Sequence, residues 1–180
     1  MDPRLRGDDI ELYIMEKRSR KPNNRTPQQP REFDQKVVEV KRVTRVTSGG
    51  KRMRFRALVV IGDHKGKVGI GLKKGMDVTE SVNKAVNAAK KNMITVPLVN
   101  DTIPHEVKVK YKSSKLLMMP ARPGTGVIAG GAVRSVLDLA GVKNVISKMV
   151  GSNNKTNNVR AAFAAFKMMR SKEEILASRK

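Results

Sequence analysis

Lys51, Arg52, Arg54 and Arg56 fall within GKRMRFRALVVIGDHKGKVGIG (residues 50–71), a stretch that begins by alternating cations with apolar residues. Side chains of this kind do electrostatic rather than covalent chemistry. A guanidinium or ammonium held on a strand pairs with phosphate, and each phosphate neutralised releases condensed counterions. Arg42 and Arg45 precede the stretch, Lys65 and Lys67 lie in and just after its GDHKG turn, and Lys73 and Lys74 follow it. Gly66, Gly69 and Gly71 leave the returning strand with little bulk. They serve either close approach to RNA, with or without a bulge, or tight packing beneath a helix.

A second candidate is the run Gly124-Thr125-Gly126 to Gly130-Gly131, flanked by Arg122 and Arg134. Glycines let backbone N–H groups approach phosphate at a helix N-terminus. The dinucleotide fingerprint has a different spacing and an acid about 20 residues on; here position 146 is isoleucine and no acid lies between Asp138 and Glu173. No Gly-Lys-Ser/Thr follows, so the Walker pattern is missing as well. The run therefore serves either a backbone phosphate of a polymer, with Arg160 as a further contact, or a tight loop and close helix packing. The flanking Arg122 and Arg134 favour the polymer. His64 and His105 lack the partner spacing of a metal site or proton relay and read as turn residues. The acids are scattered or capping, and no serine sits in a nucleophile elbow. No catalytic residue, metal ligand or cofactor is expected. The ten methionines read as core filling or protein interface.

Positioning such groups takes regular elements. VVEVKRVTRV (Val37 to Val46) is β-branched and nearly alternating, which predicts a strand. Thr47-Ser48-Gly49-Gly50 reads as a loop. Met53, Phe55, Ala57, Val59 and Ile61 then share the buried face of a second strand, with Arg54 and Arg56 on the other, and a third spans about Lys67 to Leu72. Asp77 with Glu80 marks a helix start close to a capping box. Its stripe is Val78, Val82, Ala85, Val86, Ala89 and Met93. Strands over Glu106 to Lys112 and Lys115 to Met119 follow, then a helix through Val133, Val136, Leu137 and Ala140 that Gly141 ends. Val142 to Val150 reads as a strand and Val159 to Met169 as a last helix. Ser171 with Glu174 caps a tail helix. The class is α+β. The division is a disordered tail (1–34), a first unit (35–100), a second unit (101–170) and the tail helix (171–180).

Composition agrees with a polyanion partner. The chain carries 38 Lys+Arg against 16 Asp+Glu, a net charge of +22 over 180 residues, which opposes compaction until something screens it. The tail holds 8 bases and 7 acids, so the excess sits in the folded part. The tail's basic patch from Lys17 to Lys21 either stays solvated or orders on RNA. With no Trp and 4 Phe, the chain lacks the apolar anchor of a membrane-surface helix and the stacking platform of a single-strand reader. Recognition of phosphate and shape in folded RNA fits better. Without cysteine there is no disulfide framework. The N-terminal stretch mixes acids among its bases and has no signal-peptide core.

GKRMRFRALVVIGDHKGKVGIG followed by DVTESVNKAV, with PARPGTGVIAGGAVRSVLDLAGVKNVISKMVGS and NNVRAAF further on, resembles the bacterial-type small-subunit ribosomal protein five family over about Lys36 to Met169. The resemblance implies a β-β-β-α domain like the double-stranded RNA-binding fold, followed by a left-handed β-α-β domain. It implies a cytoplasmic, ribosome-bound structural constituent with no enzymatic role, no membrane contact and no small-molecule substrate. Its partners would be small-subunit rRNA and ribosomal proteins four and eight, near the neck, with messenger RNA nearby. It would support assembly and decoding accuracy. Thr47, Ser48, Gly49, Gly50 and Lys51 match the family's spectinomycin-associated loop, and Gly126 and Arg134 match the region facing ribosomal protein four. Two rival readings stay open: a free-standing duplex RNA binder using only the first unit, and an enzyme of kinase-like fold using the Gly124 to Gly131 loop.

Overall fold

The computed structural model describes residues 33–171 and 176–177. Strand β1 (Asp34–Thr47) turns at Ser48-Gly49 into β2 (Gly50–Gly62), which returns through β3 (Lys67–Gly75). Helix α1 (Val78–Lys91) follows, then a short β4 (Met93–Thr95). These strands form one antiparallel sheet in the order β1-β2-β3-β4. A second sheet contains β5 (Val107–Tyr111), β6 (Ser114–Pro120), β7 (Val127–Ile128) and β8 (Val145–Val150), ordered β5-β6-β8-β7. Helix α2 (Gly131–Ala140) joins β7 to its parallel neighbour β8, and α3 (Lys155–Met168) follows β8. The β-β-β-α unit and the β-α-β unit, here β7-α2-β8, thus stand in the expected order; the short strands β4 and β7 were not themselves expected. Met93, expected on the helix stripe, belongs to β4. Both extra strands are too short to carry a two-residue period.

Strand β2 is built of two halves on each face. Its even positions run Arg52, Arg54, Arg56, Leu58, Val60, and its odd positions Met53, Phe55, Ala57, Val59, Ile61. Helix α1 covers the odd face: Ala57, Val59 and Ile61 pack with Ala85 and Ala89. Gly69, Gly71 and Gly75 lie on that same face, because β3 pairs Gly71 with Val59 and Gly69 with Ile61. A Cβ on Gly71 would overlap the Ala85 carbonyl, and one on Gly69 would meet the Ala89 carbonyl. These glycines bring the α1 backbone down onto the sheet, the packing alternative of the two. Met53 is 56% exposed, against expectation, because it lies on the stretch of β2 that β3 does not reach. The helix stripe shifts too: Ser81, Ala85 and Ala89 are its buried residues, whereas Val78 is exposed.

The even face is covered at Leu58 and Val60 by the second half of the chain. These two join Val68, Val96, Met118, Val133, Leu137 and Phe166 in one apolar cluster that draws on both sheets, α2 and α3. The contact is also polar. The β2–β3 turn closes the C-terminus of α2: the His64 and Gly66 amides donate to the Leu139 and Ala140 carbonyls at 3.1 and 3.0 Å. Gly141 ends α2 in the left-handed region with φ 83°, as expected, and the Val142 amide returns to the Leu137 carbonyl. Asp34, assigned to the tail from sequence, instead opens β1 opposite Gly62. Phe33, assigned to the same tail, is half-buried and packs against the cluster of Ala57, Val59 and Ala89. Residues 1–32, and Glu174 of the expected tail-helix cap, lie outside the described residues; of that helix Leu176 and Ala177 are described and helical.

Candidate nucleic-acid interface

The β1–β2 hairpin outruns its sheet. Strand β3 pairs with β2 only from Phe55↔Gly75 inward, so the pairs Val43↔Arg54 to Thr47↔Gly50 form a free two-stranded ribbon. Five pairs at about 3.3 Å give a reach of roughly 16 Å. Residues directly opposite one another share a face. Lys41 therefore stands with Arg56, and Arg45 with Arg52, while Lys74 lies opposite Arg56 on its other side. One face of the ribbon and its root thus carries Lys41, Arg45, Arg52, Arg54, Arg56 and Lys74. Lys41 pairs with Glu39 at 3.2 Å; among the described residues none of the other five forms an ion pair.

That arrangement is unfavourable in isolation. Arg45 faces Arg52 directly across the ladder, and like charges in that position destabilise a hairpin. From Val40 to Arg56 the sequence holds no acid. The groove beside the ribbon, about 480 Å³, is lined by Arg45, Arg52, Arg54, Arg56, Lys73 and Lys74. All of its charged lining residues are cations, and it offers no acid–base pair for catalysis. Arg42 and Lys51 point to the opposite ribbon face, with Met53 and Val46; Val46 is 72% exposed.

The other expected contacts lie elsewhere. Lys65 and Lys67 sit at the far end of β2, about 40 Å of strand from the ribbon tip, beside the α2 C-terminus. Asp63 organises that turn by accepting from the Lys65 and Lys67 amides at 2.8 and 2.9 Å. Burial pushes its carboxyl up, but those amides, its own amide and the Lys67 charge outweigh burial and hold it below the usual range. His64, expected as a plain turn residue, has both ring nitrogens on oxygens: Nδ1 at 2.8 Å from the Asp138 carbonyl and Nε2 at 3.0 Å from Asp34 Oδ2. At the α1 start, Asp77 makes no side-chain cap. Glu80 instead accepts from the Met76 amide at 2.6 Å, and the Lys84 hydrogen bond first, then that amide, hold its carboxyl low.

In the first part of the glycine run the backbone donors are already engaged. The Gly124 and Gly126 amides both donate to Asn144 Oδ1, at 3.0 and 3.1 Å, and the Thr125 amide to the Arg122 carbonyl. A Cβ on Gly130 would overlap the Met149 methyl group. Tight looping and close packing thus account for these amides, while Arg122 and Arg134 remain exposed beside them. Asn144 is buried and also ties Thr102 and Asp101 to β8 through its main chain. Nothing in the local sequence marks it, since its partners are 18 to 43 residues away. Arg160 lies in α3 and donates to the Tyr111 hydroxyl at 3.2 Å, apart from both groups. Among the described residues no three His, Asp or Glu side chains gather as a metal site requires, and no helix is long and apolar enough to cross a membrane.

Comparison with known families divides at the same place as the two sheets. The model of ribosomal protein S5, N-terminal domain, matches residues 33–97, and that of ribosomal protein S5, C-terminal domain, matches residues 109–179.

Proposed function

The chain belongs to the ribosomal protein S5 family, structural and non-enzymatic constituents of the small ribosomal subunit, and on that premise we propose that the β1–β2 ribbon and its groove grip the rRNA backbone. The observation that carries the proposal is the opposition of Arg45 to Arg52 on a face that also holds Arg54, Arg56 and Lys74. A polyanion against such a face offsets the repulsion and turns it into attraction. Contacts to phosphate fix position without reading sequence, which suits a protein whose partner is one folded RNA. Lys51 and Arg42 would meet RNA from the other ribbon face, and Arg122 and Arg134 would add contacts from the second half; Arg160, hydrogen-bonded to Tyr111 and apart from both groups, is not counted with them. Within the subunit, the resemblance supports a site near the neck and messenger RNA entry, beside ribosomal proteins four and eight, with Gly126 and Arg134 at the fidelity-linked contact and Thr47 to Lys51 at the spectinomycin-associated tip. The rival enzyme reading loses its ground where the Gly124 and Gly126 amides are spent on Asn144.

The test replaces Lys51, Arg52 and Arg54 by Ala together. Binding to small-subunit rRNA should weaken, and the slope of log K against log salt should fall by roughly one unit for each phosphate that is no longer neutralised. An unchanged slope would remove the ribbon from the RNA.

A further inference from the structure

A second basic feature lies on the far edge of the first sheet. Strand β4 pairs with β3 only over Lys67–Gly69, yet β3 continues to Gly75. From Ile70 to Lys74 the outer edge of β3 has no strand partner among the described residues, and no turn or loop bond described takes up its backbone. That edge opens into a cleft of about 830 Å³ walled by the end of α1 on one side and by α3 and Tyr111 on the other. Four consecutive residues, Ile70, Gly71, Leu72 and Lys73, line it. Strand side chains alternate between faces, so a run of four means that the cleft meets the strand edge-on.

The lining supplies the rest of a recognition site. Met93, Ile94 and Phe163 add apolar surface, while Lys73, Lys91, Arg160 and Lys167 supply cations. No Asp or Glu lines the cleft, and none of the four cations is ion-paired among the described residues. We propose that this open edge of β3 takes an extended, acidic peptide segment of a partner protein as an added strand. Five edge residues span roughly 16 Å and accept a peptide of about the same length. Main-chain hydrogen bonds would hold the peptide, and alternate side chains would meet the apolar floor and the cations. An RNA strand fits this edge poorly. Outward carbonyls alternate with outward amides along a strand edge, and phosphate oxygens would face those carbonyls unpaired. A peptide brings its own N–H groups to them.

Full-length protein would be titrated with a fluorescent hexapeptide alternating Glu and Val. Two further probes carry the same charge but have alternate amides N-methylated, one in each register. A uridine hexamer is the nucleic-acid probe. The parent peptide should bind and slow hydrogen exchange at the outward-facing amides between Ile70 and Lys74. One N-methylated register should bind at least tenfold more weakly, and so should the parent peptide to a folded Lys91→Glu, Lys167→Glu variant. Equal binding of both N-methylated peptides would reduce the effect to bulk charge and overturn the proposal. Displacement of the peptide by the uridine hexamer, with the same amides protected, would overturn it in favour of RNA.

Discussion

Single residues decide how closely the elements approach, and glycine shows it best. Gly71 has the Ala85 carbonyl where a Cβ would stand, whereas Gly49 at the ribbon tip has nothing within 4 Å. Gly71→Ala should therefore cost about 1–3 kcal/mol, as overpacking does, and Gly49→Ala close to nothing, with urea midpoints as the measure. The period of these glycines was legible in the sequence, but their partner was not. Whether a bare strand face meets a helix or an RNA depends on what packs there, and residue type does not encode that. Asp63 gives a prediction in pH. Its carboxyl sits below the usual range, so the folded state favours the charged form. That contribution is complete above the ordinary carboxylate range near pH 4 and is lost as pH falls through the lower folded value. Asp63→Asn keeps an acceptor oxygen but cannot titrate. Between about pH 6 and 3 its denaturation midpoint should fall less than that of the parent, and equal falls would remove Asp63 from the account.

At the scale of elements, the sequence placed the hairpin correctly and left the inner half of its cationic face unassigned. The alternation of Lys51 to Arg56 announces a strand with a cationic side, and the ribbon carries it. From Ala57 the sequence turns continuously apolar, through Leu58, Val59, Val60 and Ile61, the pattern of a strand buried on both faces. Leu58 and Val60 continue the cationic face into the core, so one strand binds outward at one end and packs at the other. Such a ribbon holds its tip by pairing alone: Thr47 pairs with Gly50, and the Thr47 hydroxyl donates to the Gly50 carbonyl at 3.1 Å. Deleting Ser48 and Gly49 removes the two turn residues and must unpair the end of the ladder, leaving the buried half of β2 in place. Cells relying on that variant should show altered spectinomycin sensitivity at unchanged protein stability. An unaltered inhibitory dose would contradict the role given to the tip.

For the whole molecule, the open question is whether two halves that match two family models behave as two bodies. The apolar cluster crosses between them through Leu58, Val60 and Val68 on one side and Val133, Leu137 and Phe166 on the other. The β2–β3 turn also satisfies the last carbonyls of α2, which would otherwise lack partners. The apolar run from Ala57 to Ile61 signals a second buried face, but periodicity does not say that the other half of the chain covers it. Gly141 tests the junction. It holds φ 83°, and a Cβ there would overlap the His64 carbonyl from the other half. Gly141→Ala adds backbone strain of about 1–2 kcal/mol to that overlap. If the shared core makes one cooperative unit, hydrogen exchange at the slowest amides should accelerate by the same factor at Val59 and Val60 in the first sheet as at Leu116 and Met118 in the second. Acceleration confined to the second sheet would mean that the halves open separately and that the turn merely rests on the helix end.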